Sequence, residues 1–227
     1  MSVVSAEALV LWTHVAAGVV ALLAGAGALV TNKGGGAHRF AGRQFVRAMA
    51  VVVGTVPLLL AFDPTSFARQ FLTLVAVFSG YFAFTGYRVL ARKRPADEAA
   101  PVDWGAAVLV VVASLALAGL GVALLLGDGT FGVVLLVFGL LGGGFGLTDI
   151  RGFRAPEGRN PWLVDHLSRM LGAFIATVTA VSVVNFTEVL PVVSWLWPTA
   201  VGVPLIFYYQ AKYGDTGPLA RVDWVAG

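Results

Sequence analysis

Seven apolar runs, each close to the length a helix needs to cross a bilayer, dominate this chain. They fall near 6–30, 44–62, 67–91, 104–127, 130–148, 162–186 and 190–211, and about 20 helical residues span the roughly 30 Å of hydrocarbon in a typical membrane. The composition agrees: 58% of the 227 residues are apolar and 12% charged, whereas about a quarter of a soluble domain is charged. With a mean hydropathy of +0.86, the chain has too little polar surface to cover a water-soluble globule. Closed β-barrels also span membranes, but their strands alternate apolar and polar residues over about ten positions, and these runs do not. The expected fold is all-α, a single transmembrane domain over 1–227 built as a seven-helix bundle. Two features are weak in this reading: the short Asp63-Pro64-Thr65-Ser66 turn, and the Leu140-Leu141-Gly142-Gly143-Gly144 run, which is poor helix by intrinsic propensity.

Orientation follows from the basic residues, which mark cytoplasmic loops. Lys33, Arg39 and Arg43 fall in the first connection, Arg92, Lys93 and Arg94 in the third, Arg151, Arg154 and Arg159 in the fifth, and Lys212 and Arg221 in the tail. The alternate connections hold Asp63, Asp128 and Glu188, with Arg69 their one base. An odd number of spans, N-terminus outside and C-terminus in the cytoplasm, satisfies every segment. The formal net charge of +3 is therefore a topology signal and not a nucleic-acid surface; the partner it implies is the lipid bilayer, with a homo-oligomer or a larger membrane complex left open. Arg88, Arg92, Lys93 and Arg94 read as positive-inside determinants or lipid head-group contacts. The first run has no basic segment before it and exceeds the 7–15 residues of a signal-peptide core, so it is expected to be retained. The Asn185-Phe186-Thr187 sequon, at an outer helix end, would matter only in a glycosylating cell. The absence of cysteine excludes disulfides, thiolate metal sites and cysteine nucleophiles.

Spacing also assigns faces. His14, Gly18, Ala21 and Gly25 recur on one side of the first span, and His166, Met170, Ala173 and Thr177 on one side of the sixth. Small residues let transmembrane helices approach closely, so both histidine-bearing faces are expected to point into the bundle.

The Lys33-Gly34-Gly35-Gly36 segment leading to His38-Arg39, Gly42-Arg43 and Met49 resembles a bacterial family of membrane proteins catalogued as domain of unknown function two-three-zero-six. The likeness continues through Ser79-Gly80-Tyr81, Gly86-Tyr87-Arg88, Asp149 with Arg151, Trp162-Leu163, His166, Arg169-Met170, Gly172-Ala173, Ile175-Ala176 and Asn185. It implies a multi-pass protein of the bacterial plasma membrane and supplies no reaction.

The residues able to carry chemistry are few. Imidazole ligates zinc, copper and iron, and two histidines on facing helices can hold haem b, so His14, His38 and His166 are the candidates for a metal ion or haem. His14 lies about eight residues, roughly 12 Å, below the outer end of its span, and His166 about four residues, roughly 6 Å, from the inner end of its own. That leaves on the order of 12 Å between them across about 30 Å of hydrocarbon, too far for one cofactor. His38 and His166 are expected on the same side, where they would form either a ligand pair or an interfacial polar pair; His14 reads more simply as a helix-to-helix hydrogen bond. Arg39, Arg43, Arg169 and Arg151 are candidates to hold an anionic group, with Asp149 as their charge partner, and the glycine triplet could present amides to an anion. The alternative is a small-molecule or ion transporter, for which a broken helix at Gly142-Gly143-Gly144 would speak, or a structural subunit of a larger complex. Retinal chemistry lacks a mid-span lysine in the last helix, since Lys212 lies at its inner end. The His-x-x-x-His pair of hemolysin III and progestin-receptor membrane hydrolases is absent, as are the four histidines of a two-haem cytochrome and the Gly-x-Ser-x-Gly elbow of a serine hydrolase. The sequence assigns no reaction.

Overall fold

The computed structural model describes residues 5–94, 96–127, 129–154, 162–186, 188–190 and 193–213. Arg159, Arg221, Asp128 and Thr187 of the sequon lie outside the described residues. Among them the chain forms seven α-helices and no strand: α1 Ala6–Val30, α2 Gly36–Phe62, α3 Phe67–Arg88 followed by a short 3-10 turn Val89–Ala91, α4 Pro101–Leu126, α5 Gly132–Arg154, α6 Trp162–Phe186 and α7 Val193–Tyr213. Six, α1 to α6, are long and apolar enough to cross a membrane. α7 is 21 residues long, but two internal prolines and a set of Trp and Tyr side chains dilute its apolar character. Large apolar side chains such as Leu9, Leu23, Leu115, Leu140 and Val201 are exposed while Asp103, Asp149 and Arg169 are buried, the arrangement expected where the surrounding solvent is hydrocarbon.

Local chemistry sets the helix limits. Ser5 caps α1 by accepting from the Ala8 amide at 3.2 Å. At the other end Lys33 Nζ donates to the Ala28 and Leu29 carbonyls at 3.2 and 2.6 Å, two of the acceptors a helix C-terminus leaves unmet. Gly34 turns the chain with φ +75°, a conformation that favours glycine, and Gly35 is the N-cap of α2. α2 thus begins at 36, not near 44: hydropathy marks where hydrocarbon begins, while a helix starts wherever its first amides are accommodated, here about two turns earlier. His38, Arg39 and Arg43 are therefore helical. α4 likewise starts at Pro101, a residue suited to the first helical turn, and α5 runs on to Arg154, so that Asp149 and Arg151 sit on a helix.

Two compact units emerge. The first takes Met1–Tyr81 and Gly105–Ile150, the second Phe82–Trp104 and Arg151–Gly227, so α3, α4 and α5 contribute to both. In the first unit α1 packs on α2, and edge-on ring pairs join α3 to α5 and to the residue preceding it, Phe78 with Phe138 at 5.5 Å and Phe71 with Phe131 at 5.3 Å. α4 and α5 meet backbone to backbone: a methyl group on Gly139 would come within 2.8 Å of the Ala118 nitrogen and the Ser114 carbonyl oxygen. Gly132, Gly142 and Gly146 face the same helix equally closely. α5 is continuous through Gly142-Gly143-Gly144; of the three, Gly142 serves close packing, and the helix break that the transporter reading asked for is not there. In the second unit α6 packs on α7, with Gly202 against Ile175.

Candidate functional site

Polar side chains in the first unit attach α1 at three depths. Glu7 pairs with Arg69 at 2.6 Å at the start of α1. Two turns on, His14 Nδ1 lies 2.8 Å from Thr55 Oγ1. Thr55 spends its own hydrogen on the Val51 and Val52 carbonyls, at 2.9 and 2.8 Å, so His14 is the donor. The face of α1 between these points is small, with Ala21 and Gly25 buried, as its spacing predicted. Near the C-terminal end of α1, His38 Nδ1 donates to the Ala28 carbonyl at 3.0 Å. Arg39 Nη1 donates to the Gly34 carbonyl at 2.7 Å, and Arg43 is exposed on α2. The connection thus engages Lys33 through carbonyls of the last turn of α1 and Arg39 through the Gly34 carbonyl, contacts made by acceptors and not by the amides an anion would need. Elsewhere in this unit the buried Tyr81 donates its hydroxyl to Asp149 Oδ2.

The second unit holds the denser cluster. His166 Nδ1 donates to the Gly86 carbonyl at 2.7 Å, and one turn later Arg169 Nη1 donates to Thr85 Oγ1 at 3.0 Å. The missing side chain at Gly86 allows this approach, because a methyl there would come within 3.0 Å of the Arg169 Cβ and the Met170 sulfur. On another side of α6, Ser168 Oγ accepts from Gln210 Nε2 of α7 at 3.0 Å. α6 therefore presents His166, Ser168 and Arg169 to two neighbouring helices within a single turn. Arg169 and Thr85 are both buried.

Beside this cluster, Arg88 makes a two-pronged pair with Asp103, Nε to Oδ1 at 3.0 Å and Nη2 to Oδ2 at 2.9 Å. Asp103 also accepts from the Ala100 amide at 2.9 Å, reaching back over the first turn of α4 as the acid of a capping box does. Arg88 is thus paired with a buried carboxylate, a partner that the reading as a positive-inside determinant or head-group contact did not include, whereas Arg92 and Lys93 lie over the rings of Phe153 and Trp162.

The histidines share one property. In His38 and His166 the Nδ1 proton is given to a main-chain carbonyl, so the neutral ring keeps its lone pair on Nε2, the tautomer that ligates metals. The two belong to different units, each held within its own. Among the described residues no group of three or more His, Asp and Glu side chains is gathered to hold a metal ion. Arg151 is exposed on the last turn of α5. Asp103, Thr55 and Thr85 escaped the reading of the sequence; Ala100-Pro101-x-Asp103 carries a helix-start signature that could have found the first, while a lone threonine in an apolar run carries none.

No protein-family model matches the chain, and no curated protein or solved structure with which it was compared is similar to it.

Proposed function

We propose that the protein is a seven-span integral protein of the bacterial plasma membrane, N-terminus outside and the end of α7 in the cytoplasm. Its working site is the α3–α6 cluster at the cytoplasmic end of the second unit, and its activity is the binding of a redox cofactor or small ligand. One observation carries this: α6 sets His166 and the buried Arg169 one turn apart, both bonded to α3, at a depth where ionisable groups are costly and tend to be functional. His166 would ligate a haem iron or metal ion through Nε2, and Arg169 would stabilise negative charge nearby. The resemblance to domain of unknown function two-three-zero-six belongs to this reading, since Gly86, His166, Arg169 and Met170, which carry it, also build the cluster.

The test is an oxidised and a reduced visible spectrum of protein purified in mild detergent, with metal analysis of the same sample. A Soret band or stoichiometric metal that disappears in His166→Ala and persists in His14→Ala is expected. A colourless, metal-free wild type would overturn the redox form of the proposal. A second reading, a structural subunit of a larger membrane complex, is favoured by α1, which buries only Ala21 and Gly25 and leaves Leu9, Trp12, Val19 and Leu23 exposed. Co-purification of a stoichiometric partner would support it.

A further inference from the structure

Beside the histidine cluster, the second unit carries a surface that combines cations with half-buried aromatic rings. The Arg92 guanidinium carbon lies 4.9 Å from the centre of the Phe153 ring, and Phe153 meets Trp104 edge-on at 5.2 Å. Lys93 Nζ lies 4.7 Å from the centre of the Trp162 ring. Arg151 and Arg154, both exposed, bracket Phe153 on the last turn of α5. The rings stand where apolar helices start or end: Trp104 in the first turn of α4, Phe153 in the last of α5, Trp162 at the start of α6. Tryptophan is enriched where a span meets the interface, and Val102 of the same first turn of α4 is also exposed.

Charge decides what such a surface takes. Among the described residues, the acids on the same segments are Asp97, Glu98, Asp103 and Asp165. Asp103 is occupied by Arg88, and Asp97 Oδ2 accepts from the Arg94 main-chain amide at 2.9 Å. Among the described residues, the five bases Arg92, Lys93, Arg94, Arg151 and Arg154 outnumber these four acids. A soluble anion needs no aromatic platform, whereas a phospholipid needs cations for its phosphate and an apolar rim for its glycerol and first methylenes.

We propose that this surface is a binding site for an anionic phospholipid whose headgroup carries more than one negative charge. Arg92 and Lys93 hold one side of the headgroup and Arg151 and Arg154 the other, over the Phe153 ring. The site rests on the proposed topology only for the leaflet that supplies the lipid, the cytoplasmic one. Binding measured in micelles does not depend on orientation, so its failure would leave the topology standing, and labelling of the intact membrane tests the topology separately.

The full chain, purified in a non-ionic detergent, is titrated with diphosphatidylglycerol, phosphatidylglycerol or phosphatidylcholine in mixed micelles, and bound lipid is counted by native mass spectrometry. Diphosphatidylglycerol should bind more than tenfold tighter than phosphatidylcholine and weaken with salt. Each basic residue near an anionic surface is worth a factor of about five, so Arg151→Gln/Arg154→Gln should weaken it roughly 25-fold. Both side chains are exposed, so this variant leaves the packing intact. Lys93→Gln should weaken binding about fivefold and Lys93→Arg should restore it. Equal affinity for the three lipids, unchanged affinity in the double variant, or displacement of the lipid by millimolar inorganic phosphate would each overturn the proposal.

Discussion

Removing Arg88 should cost far more than removing Asp103, although the two share one ion pair. The Asp103 side chain is 0% exposed and that of Arg88 29% exposed. In Arg88→Met the carboxylate is left buried with the Ala100 amide as its remaining described donor, and stranding a buried charge costs about 3–5 kcal/mol. In Asp103→Leu the cation is the survivor, and its long stem can carry the head to water, so the cost falls to about 1–3 kcal/mol, that of hydrogen bonds lost to a charged group. For a chain of this length each kcal/mol moves the melting temperature by roughly 2–4 °C, which predicts a drop on the order of 10 °C for Arg88→Met and on the order of 5 °C for Asp103→Leu. The double variant should melt above Arg88→Met alone, because no orphan charge remains. Thermal unfolding of detergent-solubilised protein, followed by tryptophan fluorescence, reads all three. A larger loss in Asp103→Leu than in Arg88→Met, or a double variant whose loss is the sum of the singles, would refute the reasoning.

Three further perturbations follow from the packing. Gly139→Leu, which drives a side chain into the Ala118 and Ser114 backbone, should cost at least the 1–3 kcal/mol typical of overpacking; Gly143→Ala, whose new methyl meets Ser114 Cβ at an ordinary 3.6 Å, should leave the melting temperature unchanged or raise it. Thr55→Val should lose the His14 bond and cost about 0.6 kcal/mol, at most about 1.7, with His14→Ala adding little in the Thr55→Val background; the cycle is read by unfolding in detergent. Glu7→Gln should shift stability by less than about 1 kcal/mol and only at low salt, since the Glu7–Arg69 pair is part-exposed; melts at two ionic strengths check it.

Hydropathy and charge placed the helices well because both are one-dimensional: α3 with its 3-10 turn and α6 fall where the apolar runs do. The starts of α2 and α4 and the end of α5 extend beyond them, since a helix continues into water when capping and propensity permit. The glycine run in α5 reads as weak helix on propensity alone, and only the neighbouring α4 backbone explains it. At the site, the inward faces of His14 and His166 were legible from their spacing with small residues. Their partners were not: Thr55 and the Gly86 carbonyl are determined by which helices meet, and a carbonyl acceptor leaves no trace in a sequence. Arg88 looked like one more cytoplasmic cation because its counter-charge stands 15 residues away, across a connection whose path hydropathy does not specify.

The account depends most on the sidedness of the helix ends, and a chain without cysteine permits a direct measurement. Single cysteines at exposed positions Ala37, Thr65, Ala96, Thr130 and Ala211 can be challenged in intact spheroplasts with a membrane-impermeant maleimide. Positions 65 and 130 should react at once, and positions 37, 96 and 211 only after lysis. Labelling of position 211 from outside would remove the seventh span, and labelling of 37 or 96 would contradict the cytoplasmic placement of the polar helix ends.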